Sequence, residues 1–149
     1  MDSSIKKYNP VESVRSGIWA TMGLPSRGAR LHELVHQDLP FVFYKRLAGT
    51  LDMTVNQLRQ HLRMSPATLA RRTTGGRLST AESDQICALV GVLNTTLELF
   101  EGDLSAARER MKSPARGLNS RLPLDMTSTW VETQAVIDRI GQLEHGVHV

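Results

Sequence analysis

The sequence predicts an all-α protein, because helix-start signals recur along the chain while strand signals do not. No segment keeps the alternation of apolar and polar residues that marks a half-buried strand, and β-branched residues never cluster over a strand length. Three capping boxes, each a hydroxyl residue followed three places later by Glu or Gln, precede runs with helical apolar spacing. With 149 residues, the chain can bury one core with a small appended unit.

The N-terminal part carries the weakest helix signals. We expect residues 1–12 to be loosely attached, and the pattern that follows predicts a helix over 11–21. A second short helix is predicted over 31–37. Pro40 is expected in the first turn of a third helix that reaches about Leu51, since proline is tolerated there.

Residues 54–77 have the pattern of a helix-turn-helix. Thr54 with Gln57 forms a capping box at the start of the first helix. Ser65 is an N-cap followed by Pro66 at the first helical position of the second helix, which ends before a pair of glycines. Two short helices joined by a tight turn are therefore predicted.

Positive charge is concentrated around this helix pair. Residues 45–77 hold seven Lys or Arg against one Asp, a net of +6, although the whole chain carries only +3. Residues 78–149 hold six basic residues against ten acids, a net of −4. A charge run is usually only a solvated face, but here it coincides with the helix-turn-helix pattern. The distribution therefore favours a surface that binds a polyanion.

The second helix of the pair has the features of a major-groove reader, since it is short, begins with small residues and projects donors. Ser65 at its start suits a phosphate, Thr68 a thymine methyl group, and Arg71 or Arg72 a guanine edge. Further phosphate contacts are expected from the basic residues around it, namely Lys45, Arg46, Arg59 and Arg77. For any one arginine taken alone, a solvated surface charge is the alternative.

The C-terminal half is predicted to be helical with one loop-rich interruption. A long apolar helix is predicted over 80–100, a shorter one over 104–111, and a last one from a capping box at Thr129 and Glu132. In the last helix an inward stripe and an outward stripe can be distinguished. The inward residues are Val136, Ile140 and Leu143, with Trp130 and Val131 near the start of the same stripe, and the outward ones are Asp138, Arg139 and Gln142. We expect most of the inward stripe to pack on the chain's own core. We divide the chain into an N-terminal, partly flexible segment (1–37), a helix-turn-helix domain (38–102) and a C-terminal domain (103–149).

No catalytic or metal-binding pattern appears in the sequence. His32 and His36 have helical spacing, but no Glu stands between them in an HExxH arrangement and no third ligand follows. Cys87 lies in an apolar run and is expected to be a small buried hydrophobe. Apolar runs are too short to cross a membrane, and no secretory signal is present. We expect a cytoplasmic protein without cofactor or metal that is not an enzyme.

The helix pair resembles that of Xre/Cro-type regulators through Leu58, Met64, Ser65, Thr68 and Leu69. In that family a small residue is usual where this chain has Arg59, and a turn glycine is usual where it has Arg63. Either Arg63 adopts a positive φ, or the turn differs.

A wider resemblance, over roughly residues 38–147, is to the Xre/MbcA/ParS antitoxin family with its C-terminal toxin-binding domain. The segments that carry it are Asp38-Leu39-Pro40-Phe41, Leu69-Ala70-Arg71-Arg72, Gly76-Arg77-Leu78-Ser79, Glu82-Ser83-Asp84, Pro114, Arg121-Leu122-Pro123-Leu124-Asp125, Thr129 and Ile140-Gly141-Gln142-Leu143-Glu144-His145-Gly146-Val147.

This resemblance implies an antitoxin of a type II toxin–antitoxin pair whose partner is a RES-domain toxin that destroys NAD⁺. It implies steric blockade of the toxin by the last helix and tail. It also implies repression of the operon by binding operator DNA, as a homodimer and in a higher-order complex with toxin. The expected toxin contacts are Trp130, Arg139, Leu143, Glu144, His145, Gly146 and Val147.

Two questions stay open from the sequence. A stand-alone helix-turn-helix repressor without a toxin partner would explain the basic helix pair equally directly. The dimer surface is expected in the C-terminal half, where Trp130 and the long helix over 79–100 offer more apolar area than one small core requires.

Overall fold

The computed structural model describes residues 17–25 and 29–144, with backbone alone for Ala29, Leu143 and Glu144. The predictions for residues 1–16, for the loop at 26–28 and for the tail after Glu144 lie outside the described residues. Within them no strand occurs, which confirms the all-α prediction. No described helix is long and apolar enough to cross a membrane.

The described helices follow in chain order and match most predicted boundaries to within two residues. They are α1 (Gly17–Met22), α2 (Ala29–His36), α3 (Val42–Thr50), α4 (Val55–His61), α5 (Pro66–Gly75), α6 (Thr80–Leu99), α7 (Leu104–Met111) and α8 (Trp130–Glu144), with two 3₁₀ helices at Arg116–Leu118 and Pro123–Asp125.

Helix α6 is the central element, because α1, α2 and α3 pack against it, as do α7 and α8. Most of its large apolar side chains are fully or almost fully buried, as at Ile86, Leu89, Val90, Leu93 and Leu97, and none of them is among the exposed large apolar residues. The helix therefore offers little apolar area for a dimer, and the dimer surface stays a prediction. Its length lets it serve as the core of both halves of the molecule.

Two of the three predicted capping boxes are complete. Thr54 Oγ1 accepts from Gln57 N at 3.0 Å while Gln57 Oε1 accepts from Thr54 N at 2.8 Å. Ser79 and Glu82 form the same reciprocal pair at the start of α6. At α8 only the first half forms, since Glu132 turns its carboxylate to another partner. The start of α8 is still correctly predicted, because the hydroxyl of its N-cap residue is sufficient.

The prediction that Pro40 lies in the first turn of α3 is wrong. It pairs with Arg77 in an isolated antiparallel bridge. Phe41 N donates to Gly76 O at 2.8 Å and Leu78 N donates to Leu39 O at 2.9 Å. These two bonds pair residues 39–41 with residues 76–78, so Pro40 stays outside α3, which begins at Val42. A non-local pairing of this kind leaves no signal in the local sequence.

The thiol of Cys87 is half-buried on α6, and burial together with nearby Asp84 raises its pKa to about 11. At pH 8 its thiolate fraction is then more than ~100-fold below that of an ordinary cysteine, partly offset by higher nucleophilicity. We expect alkylation by iodoacetamide at pH 8 to be about 10- to 25-fold slower than for free cysteine. Recovery of the free-cysteine rate in urea would confirm burial as the cause, and equal rates with and without urea would contradict it.

Candidate nucleic-acid interface and C-terminal surface

The helix pair α4–α5 is held from beneath by apolar contacts. Leu58 is fully buried, and Leu62 and Met64 in the turn are almost so. Tyr44 of α3, which the sequence did not single out, is also fully buried, and its hydroxyl donates to Val55 O at 2.7 Å. Because these contacts anchor the start of α4 and the turn, the outer face of α5 is presented in a set orientation.

The turn between α4 and α5 places Arg63 in the left-handed region, with φ of 56°. The first of the two alternatives stated above is therefore the one observed. The arginine side chain is exposed, beside the N-terminus of α5. The left-handed backbone costs an L-residue roughly 1–2 kcal/mol, which the buried residues on either side of the turn offset.

Replacing Arg63 with glycine should raise the free energy of unfolding by about 0.5–1 kcal/mol, because glycine removes the Cβ strain and loses only part of this gain to unfolded-state entropy. Urea denaturation measures it. Arg63→Ala is the matched control, since it removes the same charge and keeps the Cβ. Equal stabilisation by both variants would assign the effect to charge and contradict the strain.

The N-terminal half of α5 presents a short polar row. Ser65 Oγ accepts from Thr68 N at 3.1 Å and donates to Thr68 Oγ1 at 2.9 Å. Arg71, which is exposed, donates from Nη2 to Thr68 Oγ1 at 3.2 Å. Three of the predicted contacts therefore lie side by side, with the guanidinium of Arg71 accessible to a ligand.

Arg72 lies differently from its predicted outward position. Its Nε is 2.7 Å from Glu82 Oε1 and its Nη2 is 3.2 Å from Glu82 Oε2, so it braces α5 against α6. Burial raises the pKa of Glu82, but hydrogen bonds from Arg72 and Ser79 outweigh it, so the net pKa is lowered. The hydrogen bond to Glu82 raises the pKa of Arg72. Helical spacing placed Arg72 on the outer face of α5. Spacing within one helix could not show that Glu82 on α6 lies close enough to bind its side chain.

The expected phosphate contacts are dispersed around α5, and most already bind backbone oxygens. Arg59 donates to Asn56 Oδ1 and Met64 O, each at 2.9 Å, and so braces the turn. Arg77 is exposed and donates to Asp38 O at 2.6 Å. Arg46 donates to Met22 O at 3.0 Å and lies 5.1 Å from the Phe43 ring, whereas Lys45 is exposed.

An open cavity of about 350 Å³ lies between the start of α5 and α6. Arg63, Ser65 and Thr68 form its α5 side, and Glu82 and Gln85 contribute from α6. Gln85 Nε2 is buried there without a hydrogen-bond partner among the described residues. Gln85 was not predicted as a site residue, because a lone glutamine on an apolar helix gives no signal without knowledge of what packs against it.

Of the predicted toxin contacts, the structure describes the side chains of Trp130 and Arg139. Trp130 and Val131, which helical spacing placed at the start of the inward stripe of the last helix, are instead 75% and 69% exposed at the start of α8. Arg139 is buried, so its predicted outward position is wrong. A Cβ on Gly117 would lie only 2.8 Å from Arg139 Nε, which shows how closely the first 3₁₀ helix covers it. Leu143 and Glu144 belong to α8 without described side chains, and His145, Gly146 and Val147 lie outside the described residues.

A polar link joins the helix pair to the C-terminal part. His61 Nδ1, at the end of α4, is 2.6 Å from Asp125 Oδ1 in the second 3₁₀ helix. Arg121 Nη2 donates to Asp125 O at 3.2 Å and lies 2.9 Å from Glu132 Oε2 in α8. The ion pair with Arg121 is the contact that turns the Glu132 carboxylate away from its capping role. Among residues 17–25 and 29–144, no group of three or more His, Cys, Asp or Glu side chains could hold a metal ion.

Comparison with known proteins divides the chain into two matched segments. Residues 30–91 match the family described as the antitoxin Xre-like helix-turn-helix domain, and residues 96–146 match the antitoxin Xre/MbcA/ParS C-terminal toxin-binding domain. Two proteins named Antitoxin Xre are similar over 96% of this chain and 99% of their own length. One, from Photorhabdus laumondii, is 28% identical, and one, from Yersinia enterocolitica, is 29% identical. Helix α6 spans the junction of the two segments.

Proposed function

The chain belongs to the Xre-type antitoxins of type II toxin–antitoxin pairs, and from this premise we propose that its partner is a RES-domain toxin that degrades NAD⁺. The last helix and tail would block the toxin's active site, and α5 would bind operator DNA to repress the operon. The observation that carries the proposal is the succession, in one chain, of an exposed basic helix pair and a segment matching a toxin-binding domain. The antitoxin itself acts by binding, in keeping with a family not known for enzymes.

Repression is supported by the polar row on α5. Arg71 with Thr68 and Ser65 forms a compact set of donors and acceptors at the end of a helix whose other face is anchored on the core. Arg63 and Arg77 add exposed positive charge on either side of that helix. Such a reader commonly binds two half-sites about one DNA turn (~34 Å) apart, so we propose that a homodimer binds the operator.

Blockade of the toxin is supported by the attachment of α8 and by the carboxylate of its last residue. Val136 and Ile140 attach the helix to the core. The helix ends at Glu144, which is an acidic residue. A cleft that binds the phosphates of NAD⁺ would carry cationic side chains that such groups can pair with.

The proposal is tested by co-expression with the protein encoded by the adjacent reading frame, with growth and cellular NAD⁺ as readouts. We expect the neighbour alone to deplete NAD⁺ and arrest growth, and this chain to restore both. A variant that loses Arg71 is the matched control, because it should still restore growth while releasing repression of a reporter. A harmless neighbour that does not co-purify would overturn the proposal and favour a stand-alone repressor.

A further inference from the structure

Trp130 and Val131 form an exposed apolar pair at the start of α8. They are 75% and 69% exposed, whereas the other large exposed apolar side chains of the described residues, Val42 and Val55, are 42% and 37% exposed. Exposing a tryptophan to this extent opposes the hydrophobic effect and contributes nothing to the chain's own core. A tryptophan in that position is the residue type that most often dominates a protein interface.

The pair is held in place by the polar groups around it. Thr129 Oγ1 accepts from Glu132 N at 3.1 Å, and Thr133 Oγ1 donates to Thr129 O at 3.0 Å. The ion pair between Glu132 and Arg121, at 2.9 Å, ties the first turn of α8 to the preceding segment. These bonds fix the backbone of the first turn, so binding at the pair does not have to order that backbone.

The pair lies at the opposite end of α8 from Glu144, the residue after which the tail begins. Helix α8 has 15 residues, so at ~1.5 Å per residue its two ends are about 20 Å apart. A group that enters a toxin's active site from the tail and a group that docks at Trp130 therefore contact different parts of the partner.

We propose that Trp130 and Val131 form an affinity anchor that docks in an apolar pocket of the toxin, separate from the tail that blocks its active site. This inference rests on the proposed function, and the occupant is the toxin rather than a second copy of the chain. The pair lies within the segment 96–146 that matches a toxin-binding domain. A symmetric dimer through two side chains would bury roughly 300 Å² on each copy, well below the ~800 Å² of a stable interface.

The test uses the intrinsic fluorescence of the protein. The chain has two tryptophans, so Trp19→Phe leaves Trp130 as the sole emitter in an otherwise full-length antitoxin. Toxin released from the co-expressed complex serves as the probe. We expect a blue shift of the emission on adding toxin and none on concentrating the antitoxin alone.

Affinity is measured with variants in the wild-type background. Trp130→Ala should weaken toxin binding at least about 30-fold, with an unchanged circular dichroism spectrum because the side chain is exposed. Val42→Ala, which trims an exposed apolar residue of the other domain, should stay within about twofold. A chain ending at Leu143 should keep most of the affinity.

The possible outcomes distinguish failure of the anchor from failure of the proposed function. Wild-type affinity in Trp130→Ala would overturn the anchor while the proposed function stands. A blue shift that depends on antitoxin concentration without toxin would assign the pair to a second copy and also overturn the anchor. Failure of the wild-type antitoxin to bind the toxin would overturn the proposed function, and with it the anchor.

Discussion

Replacing Arg71 with alanine should weaken binding of the operon's own promoter DNA about 5- to 150-fold. This range corresponds to the loss of about 1–3 kcal/mol of binding free energy that is typical when one arginine that contacts a base is removed. The protein should keep its thermal midpoint, because Arg71 is exposed and its one described bond is to Thr68 of the same helix. Fluorescence anisotropy at several salt concentrations gives the affinity. If Arg71 contacts a phosphate instead, the loss will be uniform across sequences and the salt slope will fall by about one.

Variants at Arg72 distinguish, in the same assay, between contact with a DNA base and structural support of α5 through Glu82. Since Arg72 is bound to Glu82 on α6, Arg72→Ala and Glu82→Gln should both lower the thermal midpoint and weaken DNA binding together. If Arg72 reads a base, Glu82→Gln would free its side chain and preserve or strengthen binding. That second result would contradict the bracing role and restore the prediction made from helical spacing.

A chain that ends at Leu143 should bind the toxin and fail to neutralise it. Removing residues 144–149 takes away Glu144 and the tail that follows it but leaves Val136 and Ile140 packed in the core, so α8 should stay folded. With saturating truncated antitoxin, NAD⁺ consumption by purified toxin should return to nearly that of free toxin, and promoter binding should be unchanged. Glu144→Gln is the matched point variant and isolates the contribution of one carboxylate.

If the truncated chain neutralises the toxin as completely as the full chain, the tail is not the blocking element. Toxin inhibition would then have to come from the body of α8 or from the surface around Trp130. Loss of both binding and inhibition would instead show that the tail supplies affinity, which the separate anchor at Trp130 does not predict.

Local sequence was sufficient for the starts of the capped helices, although not for the start of α3. A helix start of this kind is set by side chains within three or four residues, so Thr54, Ser65 and Ser79 identified α4, α5 and α6 correctly. For Arg63, comparison with a family position that usually carries glycine left two alternatives, a positive φ or a different turn, and the structure shows the positive φ.

Side-chain orientation on the surface could not be predicted in this way. Arg72 and Arg139 lie at positions that helical spacing assigns to the outside, yet Glu82 draws the first inward and the close approach of Gly117 covers the second. Trp130, by contrast, remains exposed where a single compact core would have buried it. These outcomes depend on which helices meet, and periodicity carries no such information.

The sequence by itself determined an all-α chain with a basic helix pair, the N-terminal caps of α4, α5, α6 and α8, and membership in an antitoxin family. Those properties follow from short-range hydrogen bonds, composition and order along the chain. Only the tertiary structure decided which arginines stay free, which apolar residues remain uncovered, and that α6 serves both halves as a buried core. Each of these depends on contacts between residues far apart in sequence, such as the pairing of His61 with Asp125, whose energy appears only after the helices have packed.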